Sequence, residues 1–586
     1  MRRRFIPLAL TAALLLSLGL IFAVQNQDDA KFQKTLDSFL DDYWKFYPTA
    51  ATMAGYHKYD SEIEDWGEGS LEKRTNALDA FNQEFVSKIN KANLSPDNQV
   101  DLEMVVDALE YDLFRHESLV PWEYNPLIYN DVLLNSVQSL LRGNFAPPDV
   151  RGKNAYERMR DLPDFMKRAK SDLKTPAPIF TQTAVAQFPG ILKFYKEELP
   201  TLLEGIPADV QSRINGELPK VVSALEDYQR FLSDTLLPRS TGNPMLGQQA
   251  HTRLLRLTVQ GSLLLDEVIA RAKADYNNLR REMALVCIPF YKIMYPEVNL
   301  DQLKRPEEEL RSLIIRGVLD KIEVEHVMAD DFVDKTKSTA ESLKTFLEKK
   351  GLIDAPAVTP AILPMPLAHQ GITLSLLDAP GAYDSTGGYT IEISPVPKGL
   401  TPDQSESFLR QFNNFALPFW TASDVFPGQF LPTYLARKNT DVVRRLFPNQ
   451  PLLKGWSIGL GEQLVNAGYG NYDLRLRLSQ LKRELKAVID FQMELNIHQA
   501  ALAKDQAIAY WTRGGFLTDE EAERMYNQIL LKPGWAAYPY IGMQEIGELE
   551  KEYRRIKGES YSRKEFFQKI LANGAIPLRL LKTRLQ

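Results

Sequence analysis

A metal-dependent hydrolase needs convergent ligands, usually imidazoles and a carboxylate, with an open coordination position and a base for the bound water. The sequence holds six histidines, His57, His116, His251, His326, His369 and His498, and none forms a His-Glu-x-x-His pair. His116-Glu117 begins like one, but Val120 occupies the second histidine position. A serine hydrolase is advertised by Gly-x-Ser-x-Gly, which Gly455-Trp456-Ser457-Ile458-Gly459 matches in form. The flanks, Leu452-Leu453-Lys454 and Leu460-Gly461-Glu462-Gln463-Leu464, do not read as an apolar strand feeding a nucleophile turn. A triad would also have to recruit His498 and either Asp473 or Asp490. The aromatic series from Pro533 to Gly542 has two readings. It is a turn leading into a packed helix, or a groove wall whose Trp faces and Tyr hydroxyls hold a peptide or small ligand.

The elements that would position these residues are mostly helical. Phe32, Leu36, Phe39, Leu40 and Trp44 recur at the spacing of one helix face, and Pro48 ends the run. Further helices are expected near 69–91, 99–115, 133–142, 154–172, 183–205, 209–236, 243–284 and 306–350, with Pro219 dividing the sixth. Between Leu352 and Gly388 the chain turns to Pro, Gly, Ser and Thr, and residues 372–376 and 389–393 read as short strands. This break joins two lobes or marks a β insertion in one helical domain. Helical writing returns at Thr401-Pro402-Asp403-Gln404, a capping box with Pro at N1, and similar starts stand at Thr518 and Ser562. The expected architecture is mainly α, a large helical body over about 30–582 with a small β element near 370–397.

At 586 residues, 44% hydrophobic and 25% charged, the chain can bury a large core, which excludes a disordered protein or a small disulfide-stapled module. Its 70 Lys+Arg against 76 Asp+Glu give a charge of −6, the wrong sign for a generic nucleic-acid binder. The single cysteine, Cys287, lies in an apolar run and reads as a buried thiol. Arg2-Arg3-Arg4 precedes the uncharged stretch from Phe5 to Val24, so residues 1–24 read as a signal peptide or a membrane anchor, attachment running through residues 5–24. No cysteine stands nearby for lipid attachment. The body is expected to be exported, either periplasmic or anchored in the inner membrane and facing outward.

From about Thr35 to Leu581 the order of segments resembles the bacterial "domain of unknown function 885" family, which is similar to helical zinc peptidases of the gluzincin type. The resemblance rests on Pro48-x-x-Ala51-Thr52-x-x-Gly55, the Pro380–Pro397 region, Phe419 to Leu431, Gly455-Trp456, Pro533-Gly534-x-Ala536, Ile541-Gly542 and Gly574-Ala575-Ile576-Pro577-Leu578. Active-looking relatives write His-Glu-x-x-Pro-Gly-His followed by Glu-Gly-Trp. On that pattern Ser423 and Gln429 stand at the two histidine positions, Asp424 at the glutamate and Lys454 at the later acid, with Pro427 and Gly428 retained. A family tyrosine falls on Pro539, between Tyr538 and Tyr540. Glu494 and His498 keep a downstream acid-to-histidine spacing.

What the resemblance implies is therefore a zinc peptidase whose ligands have been replaced. A hydroxyl, an amide and an ammonium are poor substitutes, and the ammonium repels a divalent cation. Asp424 keeps a carboxylate of shorter reach, and it could pair with Lys454 if the fold brings them together. No cofactor is expected. The expected function is noncatalytic binding of a peptide, envelope protein or small ligand in a remnant groove, with Trp456 and Tyr538 as wall residues and Asp424 and Lys454 as polar anchors. The alternative is peptide hydrolysis through an unconventional metal site or other residues.

Overall fold

The computed structural model describes residues 27–354, 356–384 and 387–585; the export or anchor segment lies outside them. Among the described residues no helix is long and apolar enough to cross a membrane. The fold is mainly α, with one three-stranded sheet near the middle of the chain.

The helices follow the apolar spacing closely. Phe32, Leu36, Phe39, Leu40 and Trp44 are all buried on the first helix, 27–46. Thr401 forms the full capping box with Gln404 and starts the Pro402–Arg410 helix, while Thr518 and Ser562 accept from the N3 amides of their helices. Pro219 does not divide its helix: Ala208–Arg230 runs through it. Proline removes one amide, and the apolar face of Val210, Ile214, Val221, Leu225 and Tyr228 stays buried on both sides of it. The expected 243–284 helix is two, Gln248–Val259 and Leu265–Met294. Gln260 adopts a left-handed conformation there, and Glu545 accepts the amides of Ser262 and Leu263 at 2.7 and 2.6 Å. A distant carboxylate thus holds the break, and local periodicity carries no trace of it. Likewise 306–350 divides into Glu307–Ile322 and Phe332–Lys349.

Helices Pro126–Arg142, Pro148–Asp172, Pro178–Lys193 and Ala208–Arg230 enclose one apolar cluster. At its edge Arg158 is fully buried and donates to the carbonyls of Glu62 and Ser136 at 2.8 Å and of Pro48 at 2.9 Å. A larger cluster takes residues from Phe32 to Leu585 and so includes both ends of the described chain. Ion pairs reinforce that closure. Arg444 binds Asp101 at 2.8 Å and Asp97 at 3.0 Å, and Arg579 binds Asp107 at 2.6 Å, all on the Pro96–Phe114 helix.

In the sheet, β1 (Ala361–Pro364) runs parallel to the central β3 (Thr390–Ile393), and β2 (Ser375–Asp378) runs antiparallel to it with Ser375 opposite Ile393. β1 is not evident from sequence because four residues ending in proline give too short a run to show alternation. Ile391 and Ile393 bury one face of β3 in the large cluster. This fixes Ser375, at the start of β2, against the site described next.

Candidate functional site

The Leu417–Asp424 helix carries Ser423 and Asp424 at its C-terminal end and is followed by a turn with a cis Phe426–Pro427 bond before the Phe430–Ala436 helix. Gly428 is required in that turn, since a Cβ there would lie 2.1 Å from the Ser423 carbonyl oxygen. The turn returns Gln429 toward Asp424: the Gln429 amide donates to Ser375 Oγ at 2.8 Å, and Ser375 donates to the Asp424 carbonyl at 2.8 Å.

Ser423 and Asp424 are bridged by Arg483 from the Leu474–Ala500 helix. The guanidinium donates to Ser423 Oγ at 2.7 Å and forms a short ion pair with Asp424 Oδ2. The Asp424 partner is therefore Arg483, in place of the Lys454 pairing the sequence suggests. Lys454, on the Gln450–Asn466 helix, places its ammonium 4.8 Å from the Trp535 ring centroid, and Lys532 lies 4.9 Å from the same ring. Burial pushes the Lys454 ammonium down to about 8 and outweighs the Asp424 carboxylate, which acts upward.

Ser375, Asp424, Gln429, Lys454 and Arg483 line a cavity of about 150 Å³ together with Lys482, Lys486, Asp490, Glu521, Arg524 and an apolar wall that includes Trp420, Ile458, Leu517, Met525 and Trp535. Ser479, Lys482, Arg483, Lys486 and Asp490 form one stripe of the Leu474–Ala500 helix, while Leu478, Leu481, Leu485 and Val488 bury other faces. That polar stripe, at three- and four-residue spacing beside the apolar positions Leu478, Leu481, Leu485 and Val488, was the available signal for the cations. Lys486 pairs with Asp490, which also accepts from Trp511 Nε1 at 2.9 Å, and Lys482 pairs with Glu323.

Ser423, Asp424, Gln429 and Lys454 thus occupy one region, with Asp424, Gln429 and Lys454 lining the cavity. Trp456 and Tyr538 sit elsewhere. Trp456 lines a different cavity beside Leu352, Tyr434 and Phe567, and its buried indole N–H has no partner. Trp456→Phe is expected to move the urea midpoint by less than the equivalent of ~1 kcal/mol, because removing an unsatisfied donor offsets the lost contacts. Tyr538 is buried behind Trp535, and the Tyr540 hydroxyl donates to Asp275 at 2.7 Å. At the family tyrosine position Pro539 lines the cavity without a hydroxyl.

The serine-elbow motif lies wholly inside the Gln450–Asn466 helix, where Ser457 is buried and donates to the Lys454 carbonyl at 2.7 Å. A nucleophile at a strand-to-helix turn is excluded there.

One group among the described residues has metal-ligand spacing: His251, Glu494 and His498, all buried. His251 reaches it from the Gln248–Val259 helix, 243 residues away from Glu494, so only the Glu494–His498 half is visible in sequence. The His498 Nδ1 accepts the Leu246 amide at 3.3 Å, which puts the proton on Nε2, facing the Ile529 carbonyl at 3.1 Å. His251 Nε2 lies 2.8 Å from Glu494 Oε1, which also accepts the Gly534 amide at 2.6 Å. Burial lowers the His498 pKa, favouring the neutral ring. Within the trio His498 presents an N–H where a metal needs a lone pair, while Glu494 Oε2 is buried without a hydrogen-bond partner. The motif residues fit zinc no better, since Ser423 and Asp424 face a guanidinium and Lys454 brings a second positive charge.

The family model described as "Bacterial protein of unknown function (DUF885)" matches residues 48–585. A Shewanella oneidensis structure described as "a putative lipoprotein of unknown function" aligns at a TM-score of 0.75 and 22% identity, covering 94% of this chain and 99% of that one. A "putative lipoprotein" from Colwellia psychrerythraea aligns at 0.72 and 13% identity, covering 96% and 98%. Both likenesses concern the fold. No curated protein matches the chain.

Proposed function

The chain belongs to the DUF885 family of bacterial proteins of unknown function, and on that premise we propose that it is a noncatalytic homologue of zinc peptidases whose cavity binds a ligand. The observation that carries this reading is the Arg483 guanidinium bridging Ser423 and Asp424, two positions that a peptidase of this type would use for a ligand and a base. The cavity sets an apolar wall against a cluster of charged side chains, an arrangement suited to a ligand with an apolar body and a polar end. The occupant is a peptide, a segment of an envelope protein or a small molecule, and nucleic acid is disfavoured by the net charge of −6.

Export is part of the proposal. The apolar stretch from Phe5 to Val24 supports it, as do the neighbours' descriptions as lipoproteins. The only cysteine, Cys287, is buried in a helix with its thiol pushed up to about 12 by burial, so a lipid on cysteine is not the means of attachment proposed for this chain.

The test is metal content. Protein purified without chelator and dialysed against trace zinc is expected to carry zinc at background by plasma mass spectrometry and to leave a peptide library uncut. Near-stoichiometric zinc, or turnover that Asp424→Asn abolishes without unfolding the protein, would defeat the reading. The second reading, hydrolysis at an unconventional metal site, is favoured only by the His251–Glu494–His498 trio. It requires bound zinc that His251→Ala releases.

A further inference from the structure

We propose that the cavity is a site for a small carboxylate whose anionic end is held by Lys454 and Arg524 and whose apolar body lies against Trp420, Trp535 and Met525. The inference rests on the binding reading above and names its ligand class.

The argument begins with charge pairing. Five cations line the cavity, and three of them are engaged by carboxylates: Arg483 by Asp424, Lys486 by Asp490 and Lys482 by Glu323. Among the described residues neither Lys454 nor Arg524 has a carboxylate within ion-pair distance. Arg524 donates one N–H to the neutral Gln411 side-chain oxygen, and its buried Nε–H has no partner. Lys454 has the Trp535 ring. Glu521 also lines the cavity and acts on Arg524 only through the longer-range field, so one acid stands against two cations. A third, Lys532, lies 4.9 Å from the same Trp535 ring and adds its charge.

Half-buried cations without counterions are costly, and an anion that supplies the missing partner recovers part of that cost on binding. A guanidinium and an ammonium together suit a planar oxyanion. The remaining wall selects between oxyanions: indole and thioether surfaces gain from an apolar body and offer inorganic phosphate nothing. Lys454 then has a positive use at the position where the family resemblance calls for an acid.

The test uses the exported chain at low salt, with N-acetyl-leucine, N-acetyl-leucinamide and inorganic phosphate as probes, read by thermal shift and calorimetry. The acid is expected to raise Tm and to bind at least ~10-fold more tightly than its amide, since a charge-assisted hydrogen bond contributes about 1.5–3 kcal/mol. Lys454→Met and Arg524→Gln should each remove that preference, while Arg524→Lys retains part of it and shows that the loss follows charge. Equal binding of acid and amide would overturn the carboxylate assignment and leave a ligand cavity standing. Phosphate binding as tight as the acid would overturn it in favour of a compact oxyanion site. No shift with any probe would also overturn it. Bound zinc, measured on the same preparation, is the separate result that defeats the noncatalytic reading.

Discussion

Lys454→Met is expected to make the protein more stable at pH 7, by about 2 kcal/mol, and to make it lose its preference for the carboxylate probe. The lysine pKa falls from 10.5 to about 8, with burial the largest cause. That displacement sets an upper limit of about 3 kcal/mol at roughly 1.36 kcal/mol per unit. The favourable contact with Trp535 offsets about 0.5–1 kcal/mol of it. Methionine keeps the length of the side chain without the charge. The pH dependence has a definite sign. Below pH 8 the lysine is charged folded and unfolded, and the folded state bears the full cost. Between 8 and 10.5 the folded protein releases the proton first, so the cost fades, and above 10.5 both states are neutral. The advantage of the methionine variant should therefore be largest at pH 7 and much smaller at pH 9.5, measured as urea midpoints on both proteins. Asp424, Arg483, Lys486, Glu521, Arg524 and Lys532 surround the site in both proteins, so their titration enters both curves. An equal difference at the two pH values would refute the account.

How much of this was legible in the chain depends on the distance over which each feature is determined. The Pro402–Arg410 helix start is a local matter of Thr401 and Gln404, and it reads directly. The strand 390–393 reads as well, because alternation over four residues follows a glycine pair. The division at Gln260 does not, because Glu545 enforces it from almost three hundred residues away.

The same division runs through the site. The resemblance points to Asp424, Gln429 and Lys454, which do share a cavity, yet the cations that give the cavity its character, Arg483 and Arg524, stand outside its motif positions. Trp456 is two residues beyond Lys454 on one helix, a rotation of about 200°, so if one faces the cavity the other must face away. Trp535, Tyr538 and Pro539 are sorted by the same rotation at the turn into the Tyr538–Lys557 helix. Adjacent residues in a family stretch thus need not share a function.

Gly542→Ala is expected to destabilise the fold by about 3 kcal/mol, while the same substitution at Gly547 in the same helix should stabilise it by about 0.5–1 kcal/mol. Both glycines lie in Tyr538–Lys557, so helix propensity favours alanine equally at each. They differ in what a methyl group would meet. At Gly547 nothing lies within 4 Å, whereas at Gly542 the new carbon would fall 1.8 Å from the Pro451 carbonyl oxygen and 3.0 Å from Gly455 Cα. These are backbone atoms of the Gln450–Asn466 helix and cannot rotate aside, so the two helices must separate at their closest approach. A Cβ on Gly455 would in turn lie 2.2 Å from the Gly542 carbonyl carbon. Gly455-Trp456 and Ile541-Gly542 are two stretches that carry the family resemblance, and here they meet as a packing contact that does not depend on zinc. Because Lys454 and Ile458 flank one glycine and Trp535 and Pro539 precede the other, separating the helices also widens the cavity. Gly542→Ala should therefore weaken carboxylate binding along with stability, and Gly547→Ala should leave binding unchanged. Thermal melts of the two variants with and without N-acetyl-leucine decide the matter. A Gly542 variant as stable as the wild type would mean that the helices do not cross this closely.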